Sequence, residues 1–394
     1  MYTLVLFRND LRTDDNPALA AAAREGLDII PLYVFEKGFA IRRAADWGRL
    51  EAVRRFRPLC LRSGDPAEEI FEIAKRYPLA GVYMNRRYVP AEQEEDARLK
   101  KVLKRHGLKI FDFEGNLLFA PSALLTRTGG HYRRFTPFYR RTSEFPIDRP
   151  LPATAAVSFF IPPGSFTPPS VPDWAKKFAG IWTLDENEAL KRLRRFDFSA
   201  YERTRDFPAL ETSRLSPYLS FGLVSIRRLW ATAEDASFRR QLIWREFNAH
   251  LLASFKDLRR NQIKSTWYFH EAEDDELLER WKRGETGEAI VDAGMRELWE
   301  TGYMHNRVRM VAASWLIHNM RQPWRRGEEW FMRTLLDADE ANNPANWQWA
   351  AGCGANGSPV RPFSPTRQEK RFDPAAEYIG RWKNTVLRFP RRDG

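Results

Sequence analysis

Residues 337–354 read DADEANNPANWQWAAGCG. Asp337 and Asp339, the neighbouring amides Asn342 and Asn343, and the indoles Trp347 and Trp349 crowd into a stretch whose surroundings follow a helical pattern. That is an odd polar and aromatic load for a helix that must also bury one face. Working outward, the helical pattern extends over everything from about residue 186. LDENEALKRLRRF (184–196), FRRQLIWREFNAHLLASF (238–255), DDELLERWKRG (274–284), HNRVRMVAASWLIHNM (305–320) and EEWFMRTLLD (328–337) all repeat apolar residues at spacings of three and four. No convincing strand interrupts them. On these helices Asn306 and Met310 stand four apart, and Gln241, Trp244 and Arg245 stand three and four apart, so each set shares a face. Upstream, YERTRDFPALETSRLS (201–216) offers the hydroxyls of Thr212, Ser213 and Ser216 beside an expected helix start, where unpaired backbone N–H groups suit a phosphate.

The first third has a different rhythm. TLVLF (3–7), IIPLYVF (29–35), GVYM (81–84) and IFDF (110–113) read as short buried strands. Helices alternate with them: one opened by Asn16-Pro17 and running through Ala23, one capped by Asp65 with Pro66 in its first position, and one over 92–103. Strand–helix alternation predicts right-handed crossovers and a doubly wound parallel sheet. Residues 145–185, rich in Pro, Ser and Thr, read as a connection running over the surface. The expected organisation is therefore α/β plus all-α: an α/β domain over 1–130, a linker over 131–185 and a helical domain over 186–394. There is no internal repeat.

Composition sets the outer limits. Of 394 residues, 43% are hydrophobic and 29% charged, which is globular and not disordered. A net charge of +12 points to an anionic partner, nucleic acid ahead of membrane. Two cysteines, Cys60 and Cys353, supply neither a disulfide framework nor a four-thiolate cluster, and fit a reducing cytoplasm. Cys353, in a Gly-rich turn, is expected to pack and not to react. The chain opens on a strand and not on a signal peptide, and no run of 18 apolar residues is present. His106, His131, His250, His270 and His318 have no metal-site spacing, so no metal is expected. No Ser–His–Asp pattern stands out either. Fourteen Trp among many Arg suit flat ligands and bases, although such residues also fill large cores.

Seven ordered segments carry a resemblance over nearly the whole chain: DLRTDDNPAL, RRFTPFYRR, RDFPALETSRLSPYLSFG, LIWREF, TGEAIVDAGMRELWETGYMHNRVRM, DADEANNPANWQWAAGCG and FDPAAEYIGRW. Together they resemble the photolyase/cryptochrome family. The resemblance implies an N-terminal α/β domain, a helical domain enclosing a U-shaped FAD, and light-driven electron transfer from reduced FAD to a flipped-out cyclobutane pyrimidine dimer in UV-damaged DNA, single- or double-stranded. It assigns Tyr201, Thr212, Ser213, Leu215 and Ser216 to the FAD phosphates. Arg245, Asn306, Arg309, Asp337, Asp339 and Asn343 fall in the flavin pocket, with Arg309 and Asp337 as a buried ion pair and Asn343 facing flavin N5. Trp244 and Trp349 would flank the dimer, Gln241, Asn306 and Met310 would line it, and Arg205 and Arg307 would bind DNA phosphates. Trp347 and Trp324 match the inner members of a photoreduction chain. A monomer is expected.

The chain also departs from the family. Gln241 stands where bacterial enzymes for cyclobutane dimers carry Glu, a pattern of (6-4) photolyases and animal cryptochromes. Yet Asn306 and Met310 replace the His residues that (6-4) chemistry needs, and an Asn is no general acid near neutral pH. His305 is adjacent but turned about 100° along a helix. Cyclobutane-dimer repair is therefore expected, with a (6-4) photolyase or a cryptochrome-type photoreceptor as the alternative, and a flavin-bearing nucleic-acid binder without turnover behind both. The outermost position of the photoreduction chain falls near Glu271, with Trp267 and Tyr268 close by. MNRRYVP (84–90) lacks the Asn-Glu pair linked to folate, so no folate antenna is expected, and a deazaflavin or no second chromophore is left open. The sequence stops 12 residues after Trp382, short of the family's usual final helix and of the tail of signalling cryptochromes.

Overall fold

A computed structural model describes residues 1–154, 157–164, 166–264, 273–355 and 362–389. Five parallel strands form one sheet in the order β3-β2-β1-β4-β5: β1 (Tyr2–Phe7), β2 (Ile29–Phe35), β3 (Cys60–Ser63), β4 (Leu79–Asn85) and β5 (Ile110–Phe113). β1 lies at the centre, with Leu4 paired to Ile30 on one side and to Val82 on the other. Its unbroken apolar run follows from burial on both faces, since Leu4 and Val5 are wholly enclosed. The fifth strand corrects the four-strand expectation. β3 is an edge strand of four residues, CLRS, too short and too polar at Arg62 and Ser63 to read as an apolar run.

Helices α1 (Pro17–Ala23), α2 (Ala44–Arg55), α3 (Pro66–Arg76) and α4 (Pro90–Arg105) cover the sheet. Asn16 accepts from Leu19 N, and Asp65 from Ala67 N and Glu68 N, so both predicted caps are made. The segment 145–185 is less superficial than its composition suggests. Ile29 N donates to Ser158 O at 2.8 Å, Phe160 N to Ile29 O at 2.9 Å and Phe166 N to Leu61 O at 2.8 Å, so it straps the sheet. Helix α5 (Phe135–Thr142) precedes it and the short α6 (Asp173–Lys176) lies within it. Phe178 and Trp182 are core residues, and Trp182 Nε1 donates to Thr301 O at 2.7 Å, which closes the strap onto the helical half.

From residue 186 every described element is helical: α7 (Glu186–Arg195), α8 (Tyr201–Thr204), α9 (Ser216–Ser220), α10 (Ile226–Thr232), α11 (Ala236–Phe255), α12 (Asp275–Arg283), α13 (Ala289–Thr301), α14 (Asn306–Ser314), α15 (Trp324–Thr334), α16 (Asn342–Ala351), α17 (Pro365–Phe372) and α18 (Glu377–Trp382). α14 continues as a π-helical turn over Trp315–Asn319. Side-chain caps from Asp235 and Asp274 start α11 and α12.

The two halves are locked together. Arg12, only 1% exposed, donates to the carbonyls of Asp15, Gly115 and Gly222 at 2.8–3.2 Å. Bidentate pairs join Arg227 to Asp15 and Arg228 to Asp14. Gly222, at φ +67°, lets the helical half touch the loop after β1, because a Cβ there would stand 1.9 Å from Asn9 O. Among the described residues no helix is long and apolar enough to cross a membrane, and no cluster of His, Cys, Asp and Glu could hold a metal.

Candidate functional site

Segment 212–216, α14 and the loop before α16 converge on one polar network. Arg309, on α14, grips Asp337 with two bonds of 3.0 and 2.9 Å, and Ser216 Oγ donates to Asp337 at 2.5 Å. Arg309 also donates to Met304 O at 2.7 Å and its guanidinium lies 5.3 Å from the Tyr303 ring. The Tyr303 hydroxyl is 3.3 Å from Thr212 Oγ1. Thus Thr212, Ser216, Arg309 and Asp337, far apart in sequence, share one chain of contacts. Leu215 is buried behind it and Ser213 is half-buried. Beneath lies Glu297, wholly enclosed, accepting from the Tyr378 hydroxyl at 2.6 Å and from His305 N at 3.2 Å, with Arg214 at 3.7 Å. Burial pushes its carboxyl above the usual range, and those partners pull it back.

The opposite side is built on α16. Asp339 accepts from Ala341 N and Asn342 N at 2.9 and 2.5 Å and so fixes the start of that helix. At the second position of α16, buried Asn343 points its Nδ2 at Glu328, donating to Oε1 at 2.8 Å and to the carbonyl at 3.1 Å. Arg259 Nε donates to the other Glu328 oxygen at 3.1 Å. Asn306, exposed at the start of α14, sits 3.8 Å from Met310 Sδ, which confirms their common face. His305 caps that helix by accepting from Arg307 N at 3.2 Å, and burial pushes its pKa down to about 4.

Trp244 and Trp349 differ in setting. Trp244, half-buried on α11, stacks on Phe135 with centroids 3.6 Å apart and planes within 2°. Trp349 is 37% exposed, and among the described residues it meets the Phe363 ring at 6.3 Å. Gln241 turns its amide back to Ser237 O at 3.2 Å. Arg205 lies over Tyr201 at 5.4 Å and reaches Ser237 Oγ at 3.4 Å. Arg307 is already held, by Asp206 at 2.7 Å and over the Phe372 ring at 4.5 Å. Trp347 is buried, with ring neighbours Phe331 at 5.0 Å and Trp281 at 6.1 Å. Trp324 is 1% exposed and its Nε1 has no partner among the described residues. Trp267, Tyr268, His270 and Glu271 lie outside the described residues.

Arg245 joins none of these networks. Among the described residues its buried Nη1 has no hydrogen-bond partner and stands 3.8 Å from Glu246 Oε1, itself unpaired there. Glu246 is fully buried, and its other oxygen accepts from Leu118 N and Phe119 N of the sheet half. Burial pushes its pKa up to about 7, against the pull of Arg245 and both N–H groups. Arg245 and Asp339 also border a cavity of about 120 Å³ between the halves, at the carboxyl ends of β1, β4 and β5 where strand order reverses.

Sequence reasoning missed Glu246, Glu297, Tyr303, Glu328 and Phe135. The signal for the first two was available: each is an acid among apolar residues on the buried side of its helix. The remaining three take their meaning from partners distant in sequence.

Comparison with known proteins bears on both halves. A family model described as DNA photolyase matches residues 3–156, and one described as FAD binding domain of DNA photolyase matches residues 238–393. The chain is 39% identical to the deoxyribodipyrimidine photo-lyase of Agrobacterium fabrum, over 99% of this chain and 88% of that one, and 33% identical to that of a Synechococcus strain, over 95% and 86%. A bacterial class III photolyase from Agrobacterium tumefaciens superposes with a TM-score of 0.89 at 39% identity, covering 96% of this chain and 86% of that one. A Synechocystis cryptochrome gives 0.85 at 26% identity, covering 98% and 90%.

Proposed function

The chain belongs to the photolyase/cryptochrome family and is a deoxyribodipyrimidine photo-lyase, an FAD enzyme of light-driven DNA repair; from that premise we propose that its substrate is the cyclobutane pyrimidine dimer, turned out of UV-damaged DNA and split into two pyrimidines. The observation that carries this reading is the face made by Asn306 and Met310. Neither side chain donates a proton near neutral pH. Among the described residues the imidazole beside them is that of His305, which spends Nδ1 on its helix cap and is held neutral by burial. A (6-4) lesion needs a general acid at that place, whereas a cyclobutane ring opens without one.

The residues present fit FAD. Arg245 offers a buried guanidinium N–H with no acceptor among the described residues, as an anionic or carbonyl-bearing ligand requires. The Arg309–Asp337 pair would be a costly buried ion pair in isolation, and a polar ligand that completes its hydrogen bonds offsets that cost. Thr212, Ser213 and Ser216, with Leu215 behind them and Tyr201 near, would hold the pyrophosphate; Asn306, Arg309, Asp337, Asp339 and Asn343 would hold the flavin. When bound, reduced FAD supplies one electron to the dimer on illumination and recovers it once the ring has opened.

The chain's own part is orientation. Glu328 commits the donor end of Asn343, so the amide oxygen is the end able to meet an N–H of the ring. Trp244 and Trp349 receive the everted dimer by stacking, worth about 1–3 kcal/mol per base. Gln241 can donate its second amide hydrogen to a pyrimidine carbonyl. Arg205 and Arg307 take the flanking phosphates whatever the sequence. Trp347 and Trp324 pass electrons inward to regenerate the reduced cofactor. The division into 1–130, 131–185 and 186–394, a monomeric state and a cytoplasmic location belong to the same reading.

Gln241 favours a second reading, a cryptochrome-type photoreceptor or (6-4) enzyme. One experiment separates them. The FAD-loaded protein is illuminated without oxygen on oligonucleotides carrying a single cyclobutane dimer or a single (6-4) product. Restored thymines from the first alone support the proposal; restoration confined to the second, or none from either, refutes it.

A further inference from the structure

We propose that Phe135 is a positioning residue that fixes the plane of the Trp244 indole and makes it a one-sided platform for an everted pyrimidine; the proposal rests on the reading of Trp244 as a wall of the lesion pocket. Phe135 opens α5, more than 100 residues upstream of Trp244, within the stretch 131–185 assigned to the linker. The two rings lie face to face at 3.6 Å and 2°. Aromatic pairs left to themselves prefer offset or edge-on arrangements. A parallel sandwich is therefore imposed by the helices that carry the rings.

The surroundings show how it is imposed. Phe247, on the same helix as Trp244, meets both rings edge-on, each at 5.8 Å and at 74° and 75°. It blocks the tilt that would turn the sandwich into a T. Tyr139, one turn along α5 and 38% exposed, lies 5.6 Å from Phe135 at 24°. The Arg240 guanidinium stands 5.7 Å from both the Phe135 and Tyr139 rings. Phe135 itself is buried, so one face of the indole is closed and a base can stack only on the other.

A flat base gains its stacking energy only on a ring held parallel to it. Without Phe135 the indole can tilt into the vacated space, and the gain from the first base is lost. A general loosening of the fold would act differently, lowering flavin content and affinity for all DNA together.

The test measures dark binding of FAD-loaded protein to a duplex with one cyclobutane thymine dimer and to the same duplex undamaged. Phe135→Leu should weaken binding to the damaged duplex by about tenfold, with undamaged-DNA affinity, flavin content and repair yield at saturating DNA unchanged. Phe135→Tyr should restore the ratio. Trp244→Ala is measured alongside. If it lowers the damaged-to-undamaged ratio while Phe135→Leu does not, the positioning role is overturned and the reading of Trp244 stands. If Trp244→Ala leaves the ratio intact, that reading fails and takes this proposal with it. Should Phe135→Leu emerge without flavin, Phe135→Met is judged by the same ratio.

Discussion

Around the loop that follows β1, buried polar groups answer one another. Asn85 Nδ2 donates to Asp10 Oδ2 at 2.7 Å and to Asn16 Oδ1 at 2.8 Å, Asn16 caps α1, and Arg12 spends its donors on three carbonyls. In the helical half the site residues are only partly matched. Among the described residues Arg245 Nη1 and Glu246 Oε1 are unpaired, Ser216 and Asn306 are exposed, and Asp337 draws three bonds from two different segments. Full satisfaction fixes one structure, whereas partial satisfaction reserves donors and acceptors for something else. The difference teaches where a scaffold ends and a site begins.

The largest test of that contrast is Asp337→Ala, which strands Arg309 without its partner. Flavin per chain should fall to near zero and stability by about 3–5 kcal/mol; a variant that keeps its flavin absorbance would break the comparison. Trp347→Phe should retain flavin and dark DNA binding but abolish photoreduction of the cofactor, followed by absorbance under blue light with a reductant. Unchanged photoreduction removes Trp347 from the route. Arg12→Ala is the counterpart in the scaffold. It leaves three buried carbonyls unpaired and should cost about 3 kcal/mol in denaturant unfolding while the spectrum of the bound flavin stays as it was.

A fourth test uses pH. Glu246 holds its proton in the fold up to about 7 and releases it near 4.5 when unfolded, so its contribution is intact below pH 4.5 and is lost as pH rises to about 7. Glu246→Gln should therefore gain on the native protein between pH 5 and pH 8, by about 2–3 kcal/mol; parallel stability curves for the two proteins would contradict it. The smallest effect concerns Arg307. Asp206→Asn releases it from an ion pair at the edge of the site, and DNA affinity should rise by about two- to threefold, more at low salt. A fall in affinity would mean that Asp206 aims the guanidinium instead of competing for it.

Legibility divided along the same line. Strands with apolar runs, β1 and β2, were plain in the sequence, as were the caps at Asn16 and Asp65, because each signal is local. β3 escaped because CLRS is only four residues long and half polar, and α2 because AADWGRLEAVRR mixes charge into a helix whose Trp47 and Leu50 are nevertheless buried. The Arg309–Asp337 pair was legible through the family resemblance. The roles of Glu328 and Phe135 were not, since each depends on a partner on another element and neither stands out by type or spacing.

Gly327 carries one more consequence. A methyl group there would lie 2.2 Å from the Trp347 ring and 2.6 Å from Leu316, so α15 can approach that indole only where a side chain is missing. On the proposed route for electrons, this gap does the work of a spacer in a wire. The smallest possible enlargement, to alanine, would displace a conductor without touching its chemistry, and the rate of recharging would register a shift too slight to alter the enzyme's outline.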